Sequence, residues 1–124
     1  MEAGAVDRIG FHFDVMCPWA YQASVWIRDV RAQRSVEVDW RFFSLDEINR
    51  TEGKKHPWER PWSYGWGMMR VAALLRRESM ELCDRFYEVA GRALHVARAV
   101  PRPVHGRLQH RLRQQRELRA AVVA

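Results

Sequence analysis

The sequence predicts an α/β fold in which one parallel strand–helix–strand unit is followed by further helices. Three observations predict it. Apolar residues alternate from Ile9 to Val15 and again from Val36 to Phe42, and between these runs lies a stretch of helical periodicity that opens at Cys17-Pro18. A strand, a short helix and a strand in that order form a right-handed crossover with parallel strands, because only that hand lays the helix back on the sheet.

In the first strand Ile9, Phe11, Phe13 and Val15 share one face, while Gly10, His12 and Asp14 share the other. The strand is expected to stop at Cys17-Pro18. Proline has no N–H for a ladder but suits the first turn of a helix, where that N–H has no partner anyway. In the helix that follows, Trp19, Ala23, Trp26, Ile27 and Val30 form the expected buried face, and Gln22, Arg28, Asp29 and Arg31 the wet one. After Gln33-Arg34-Ser35 the alternation returns, with Val36, Val38, Trp40 and Phe42 set against Glu37, Asp39 and Arg41. The second strand is expected to end near Phe43.

Residues 46–62 are polar and punctuated by Gly53, Pro57 and Pro61, which reads as a loop leading into a helix. From Tyr64 to His95 the residues are helix formers. Met68, Ala72 and Leu75 lie on one repeat, and Met80, Cys83, Phe86, Tyr87, Ala90 and Leu94 on another, so two helices or one bent helix are expected. The last segment, Ala97 to Ala124, offers no strand and at most a weakly amphipathic helix from Leu108 to Ala121.

With 124 residues, 48% of them apolar, the chain has material for one small domain with a core but not for two. Its net charge of +6 is unevenly placed: residues 1–96 hold 14 Lys and Arg against 14 Asp and Glu, whereas residues 97–124 hold seven Arg against Glu117 alone. The expected organisation is one domain over residues 1–96 and an Arg-rich tail over residues 97–124. That tail has no zinc-finger spacing, aromatic stacking strand or recognition helix, so no specific nucleic-acid role is expected of it. The segment Met1 to Asp7 carries two acids and no apolar core of a secretory signal, and no run reaches membrane-spanning length. The expected setting is a reducing cytoplasm with no membrane partner, where two cysteines far apart in sequence stay free thiols.

Cys17 follows a strand and opens a helix, so the unpaired N–H groups and partial positive charge of the helix N-terminus favour a thiolate there. Cys83 falls on the apolar repeat of a helix beside Phe86 and Tyr87 and is expected to be a core residue. Trp19 is expected either in the core or as a cover over the Cys17 sulfur. Trp58, Trp62 and Trp66, flanked by Lys54, Lys55 and His56, admit two readings: an aromatic, cationic rim for an apolar or anionic substrate, or a staple of this segment to the sheet. His12, His56, His95, His105 and His110 show no metal-ligand spacing, so no metal is expected. Asp14 is expected to be solvated.

The run Phe11-His12-Phe13-Asp14-Val15-Met16-Cys17-Pro18-Trp19-Ala20 resembles the active-site segment of DsbA-type thioredoxin-fold oxidoreductases, in particular the actinobacterial branch related to mycothiol-dependent reductases. The resemblance continues through Val38-Asp39-Trp40-Arg41-Phe42-Phe43-Ser44-Leu45 and Lys54-Lys55-His56-Pro57-Trp58-Glu59-Arg60-Pro61-Trp62 to about residue 95. It implies a thioredoxin-like βαβ unit with a helical insertion, Cys17 as the nucleophile, and Pro18, Trp19 and Ala20 as the rest of the active-site motif. In the dithiol members a second cysteine stands three residues on, where this chain has Ala20. Cys17 then has no local disulfide partner, so the implied mechanism is monothiol: a mixed disulfide on Cys17 that an external thiol resolves. No bound cofactor is implied. The partner is a small-molecule thiol or disulfide, with mycothiol the family's candidate co-substrate.

The family's fold also calls for a strand preceded by a cis-proline, a further strand and a closing helix. Pro101 and Pro103 have no strand pattern on either side, so neither fits that cis-proline and an incomplete thioredoxin fold is expected. An open edge on the first strand then predicts self-association. Two rival readings share these residues: a catalytically silent, truncated thioredoxin-like fragment, and an enzyme of the glutathione-transferase-kappa or isomerase type, which activates a bound thiol instead of attacking a disulfide.

Overall fold

The computed structural model describes residues 4–97 and 107–123. Strand β1 (Asp7–Phe13) leads through a short turn into helix α1 (Pro18–Gln33), and strand β2 (Val36–Phe42) returns beside β1. The two strands are parallel, in register from Asp7 opposite Val36 to Phe13 opposite Phe42. Among the described residues the sheet has these two strands, so β1 is hydrogen-bonded on one side only. The parallel βαβ unit read from the alternation is therefore present: an α/β, thioredoxin-like unit.

β1 ends two residues before the sequence pattern does. Val15 is apolar and fully buried, but it lies in the turn, where its N–H donates to the Met69 thioether (3.4 Å) instead of to a ladder. Asp14 is what turns the chain, as described below.

The segment after β2 is more ordered than a loop. It contains the short helix α2 (Leu45–Ile48), capped by the Ser44 hydroxyl, and a single 3-10 turn at Pro57–Glu59. Two helices follow, α3 (Tyr64–Glu78) and α4 (Met80–His95). Ser79 separates them: its extended backbone (φ −162°, ψ 152°) breaks the helix, and its hydroxyl accepts from the Leu82 N–H to start the next one. Helix α5 (Arg107–Val123) lies against α4, where Leu118 and Val122 are buried and Arg85 donates to the Ala121 carbonyl. Pro101, Pro103 and His105 fall outside the described residues, as does the side chain of His110. Among the described residues no helix is long and apolar enough to cross a membrane.

The core forms where the sheet meets α4. Phe13 stacks on Tyr87 (centroids 3.9 Å, 17° between planes), and Trp40 meets both rings edge-on. Such offset and edge-to-face pairs add to what burial alone contributes. Met68, Ala72, Cys83, Phe86, Ala90 and Leu94 join this core, as the helical periodicity anticipates, and Met69 joins it beside them.

The face of α1 departs from its apolar pattern. Trp19 (83% exposed), Ala23 and Trp26 (64% exposed) point to solvent, while Tyr21, Ser24 and Ile27 are buried. The inward stripe carries polar residues because each finds a partner. Ser24 Oγ donates back to the Tyr21 carbonyl (2.6 Å), and Arg28 and Arg31 both pair with Asp84 on α4. Arg28 also lies 4.6 Å over the Trp40 ring, which lets its guanidinium sit in a largely apolar setting.

Candidate active site around Cys17

Cys17 is the N-cap of α1, with extended backbone (φ −84°, ψ 111°) and Pro18 directly after it. Its Sγ accepts from the Ala20 N–H (3.4 Å), one of the donors that a helix start leaves without an intrahelical partner. Sulfur thus takes the place that a serine or aspartate oxygen holds at an ordinary cap, and a thiolate there gains a donor it would lack elsewhere. The thiol is partly exposed.

The turn that delivers Cys17 is anchored atom by atom. The Cys17 N–H donates to the Asp14 carbonyl (2.9 Å), and the Cys17 carbonyl accepts from Tyr21 in the first helical turn (3.1 Å). The Asp14 carboxylate accepts from the Met16 N–H (2.9 Å) and from the Leu45 N–H (2.7 Å), tying β1's exit to the start of α2. Asp14 is only 3% exposed, which overturns the expectation of a solvated carboxylate. An isolated carboxylate would not stay there; two backbone donors hold it. Burial pushes its carboxyl up from the ordinary value, the Leu45 and Met16 N–H groups pull it down, and the Asp46 charge adds to the rise. The signal in the sequence was its place at a strand end, where an Asx-type turn bonds its own chain two residues on.

Trp19 stands outside the core, so it supplies no packing. Ala20 is half-buried and presents only its N–H to Cys17. Cys83 is buried in the core as expected, and burial pushes its thiol up to about 11. Between pH 9 and about 11 the unfolded chain gives up this proton while the folded chain keeps it, so Cys83 weakens the folded state as pH rises through that window. At neutral pH, alkylation of the native protein followed by mass mapping is expected to label Cys17 about a hundredfold or more faster than Cys83. Faster labelling of Cys83 would reverse the assignment.

Of the residues that the sequence offers as a rim or as a staple to the sheet, His56, Trp58 and Trp66 meet one another in turn. His56 stacks on Trp58 (centroids 4.4 Å, 7° between planes), and Trp58 meets Trp66 at 5.4 Å. His56 Nδ1 lies 2.8 Å from the Glu47 carboxylate, and this hydrogen bond holds the Glu47 carboxyl below its ordinary value. Trp66 lines a cleft of about 290 Å³ with Phe42, Phe43 and Met69, whereas the exposed Lys54 lines a separate surface of α2 with Asp46 and Arg50. Lys55 is exposed. Trp62 lines a cavity of about 340 Å³ beside Met16, which also takes in Asp14, Asp46, Arg60 and Ser63. Among the described residues no three His, Cys, Asp or Glu side chains gather as metal ligands would.

The family model described as Rv2466c-like, mycothiol-dependent nitroreductase Rv2466c, matches residues 16–114, from the residue before Cys17 into α5. A relative named uncharacterized protein Rv2286c, from Mycobacterium tuberculosis, is 61% identical over 96 residues, which make up 77% of this chain and 42% of that protein. The chain thus spans less than half the length of this curated relative. With a match that covers most of its length, the chain belongs to the Rv2466c-like family.

Proposed function

We propose that the chain is a thiol–disulfide oxidoreductase that works through the single nucleophile Cys17 and an external low-molecular-weight thiol of the mycothiol type. The observation that carries the reading is the Cys17 cap: a partly exposed sulfur facing the Ala20 N–H at a helix start, with alanine where a resolving cysteine would stand. The mycothiol dependence in the family's description supports that thiol as co-substrate and a cytoplasmic setting.

The chemistry balances without any bound group. The Cys17 thiolate attacks one sulfur of a disulfide, forming a Cys17 mixed disulfide and expelling the other half as a thiolate, which takes a proton from water. An external thiolate then attacks the mixed disulfide at the small molecule's sulfur and returns Cys17 as thiolate. Each cycle consumes one external thiol, releases one half of the substrate as a thiol and leaves the other half joined to the external thiol as a mixed disulfide. A second cycle on that product completes the reduction to two thiols and leaves two external thiols joined as one disulfide. Asp14, Met69 and Leu45 hold the turn, and the Ala20 N–H faces the sulfur whenever it leaves as an anion.

Incubation with oxidised mycothiol or oxidised glutathione, followed by intact-mass measurement, tests the reading. One adduct per chain, mapped to Cys17 and removed by excess thiol, is expected. An intramolecular Cys17–Cys83 bridge, or an adduct confined to Cys83, would overturn the monothiol mechanism.

A further inference from the structure

Val15, two residues before Cys17, has a carbonyl that points away from any ladder. It is met by His95, the last residue of α4, whose Nε2 lies 2.7 Å from the Val15 oxygen across a sequence separation of 80 residues. A carbonyl oxygen only accepts, so the ring nitrogen facing it carries the hydrogen. The same ring lies 5.3 Å from that of Tyr21, in the first turn of α1, so His95 touches the chain on both sides of Cys17. The contact is built into α4. At Gly91, one turn before His95, a Cβ would stand 2.5 Å from the Tyr21 ring, so only glycine lets the helix come this close.

The other polar groups of this turn are already spoken for: Asp14 O by Cys17, Val15 N by Met69 and Met16 N by the Asp14 carboxylate. The Val15 carbonyl alone depends on a side chain from α4. We infer that His95 is a positioning residue for Cys17, its Nε2–H fixing the Val15 carbonyl and its ring bracing Tyr21, so that the Cys17 sulfur stays aligned on the Ala20 N–H. The reaction served is the thiol exchange proposed above, and the inference rests on that reading only for its purpose. Were the turn released, the sulfur would leave its donor and the thiolate would lose part of its stabilisation.

The test uses the whole chain with His95→Phe, which keeps a ring and removes the donor, and His95→Gln, which keeps a donor and removes the ring. The measurement is the rate of Cys17 alkylation by iodoacetamide at pH 7, with thermal melts run in parallel. His95→Phe is expected to slow alkylation roughly three- to tenfold, the loss of one well-placed hydrogen bond, and His95→Gln to restore it to within about twofold of wild type. Wild-type rates in a folded His95→Phe, or an equal loss in a folded His95→Gln, would overturn the assignment. Because alkylation needs no turnover, a wild-type chain that forms no mixed disulfide would overturn the proposed function and leave this comparison intact.

Discussion

Cys17→Ser takes disulfide exchange to the uncatalysed background. A serine hydroxyl at the same cap accepts the Ala20 N–H as well as sulfur does, so the helix start survives. What disappears is the thiol sulfur itself, the atom that exchanges with a disulfide; an unassisted hydroxyl does not attack a disulfide. The loss should therefore appear in activity and not in the melting temperature. Ala20→Cys is the complementary change. Positions 17 and 20 lie one helical turn apart, within reach of a disulfide, so this variant is expected to form a local bridge and release its substrate without an external thiol. Quantifying reduced substrate with and without added thiol separates the two behaviours. Exchange that persists in Cys17→Ser and still requires added thiol would instead support an enzyme that activates a bound thiol cofactor.

Phe13→Ala is expected to cost about 3–5 kcal/mol of folding stability, a large share of what a domain of this size has. Phe13 is fully buried and sits at the centre of the aromatic core, stacked on Tyr87 and edge-on to Trp40 and Phe42. These neighbours come from β2 and α4, two elements that cannot both move inward, so the space left by the ring collapses poorly. Phe13 is also the last residue of β1, and its carbonyl accepts from the Phe43 N–H at the sheet's end beside the turn that leads to Cys17. The variant should therefore lose more than stability: the contrast in alkylation between Cys17 and Cys83 should narrow as the core opens to reagent. Urea unfolding followed by circular dichroism gives the first quantity and timed alkylation the second. A midpoint shift equivalent to less than about 1 kcal/mol would mean that the aromatic core is less tightly packed than its ring contacts imply.

The sequence by itself determined the elements whose signal is local. Period-two alternation located both strands because a strand's side chains switch faces at every residue, whatever lies beyond. Cys17-Pro18 marked the start of α1 because proline's missing N–H costs nothing there, and the spacing through Tyr64 to His95 marked two helices or one bent helix, of which the structure shows two, with Cys83 inside the core. Cys17 stood out because a strand end, a cysteine and a helix start are adjacent along the chain.

Tertiary structure alone decided which face of α1 is buried, what becomes of Asp14, and how the turn before Cys17 is held. Of the apolar face expected of α1, Ile27 and Val30 pack inward but Trp19, Ala23 and Trp26 do not, and the inward stripe is completed by Ser24, Arg28 and Arg31, which find partners at the Tyr21 carbonyl and on Asp84. Hydrophobic periodicity scores a residue by its own transfer free energy and is blind to a partner that cancels the cost of burial. Asp14 went inside for the same reason, since the Leu45 N–H that stabilises it comes from the far end of the crossover. His95 reaches Val15 only because α4 packs across the sheet with Gly91 against Tyr21, a contact between residues remote in sequence. The tryptophans at 58, 62 and 66 keep a helical spacing on paper, but residues 57–59 form a 3-10 turn before α3 begins at Tyr64; Trp58 meets Trp66, while Trp62 lines the cavity beside Met16.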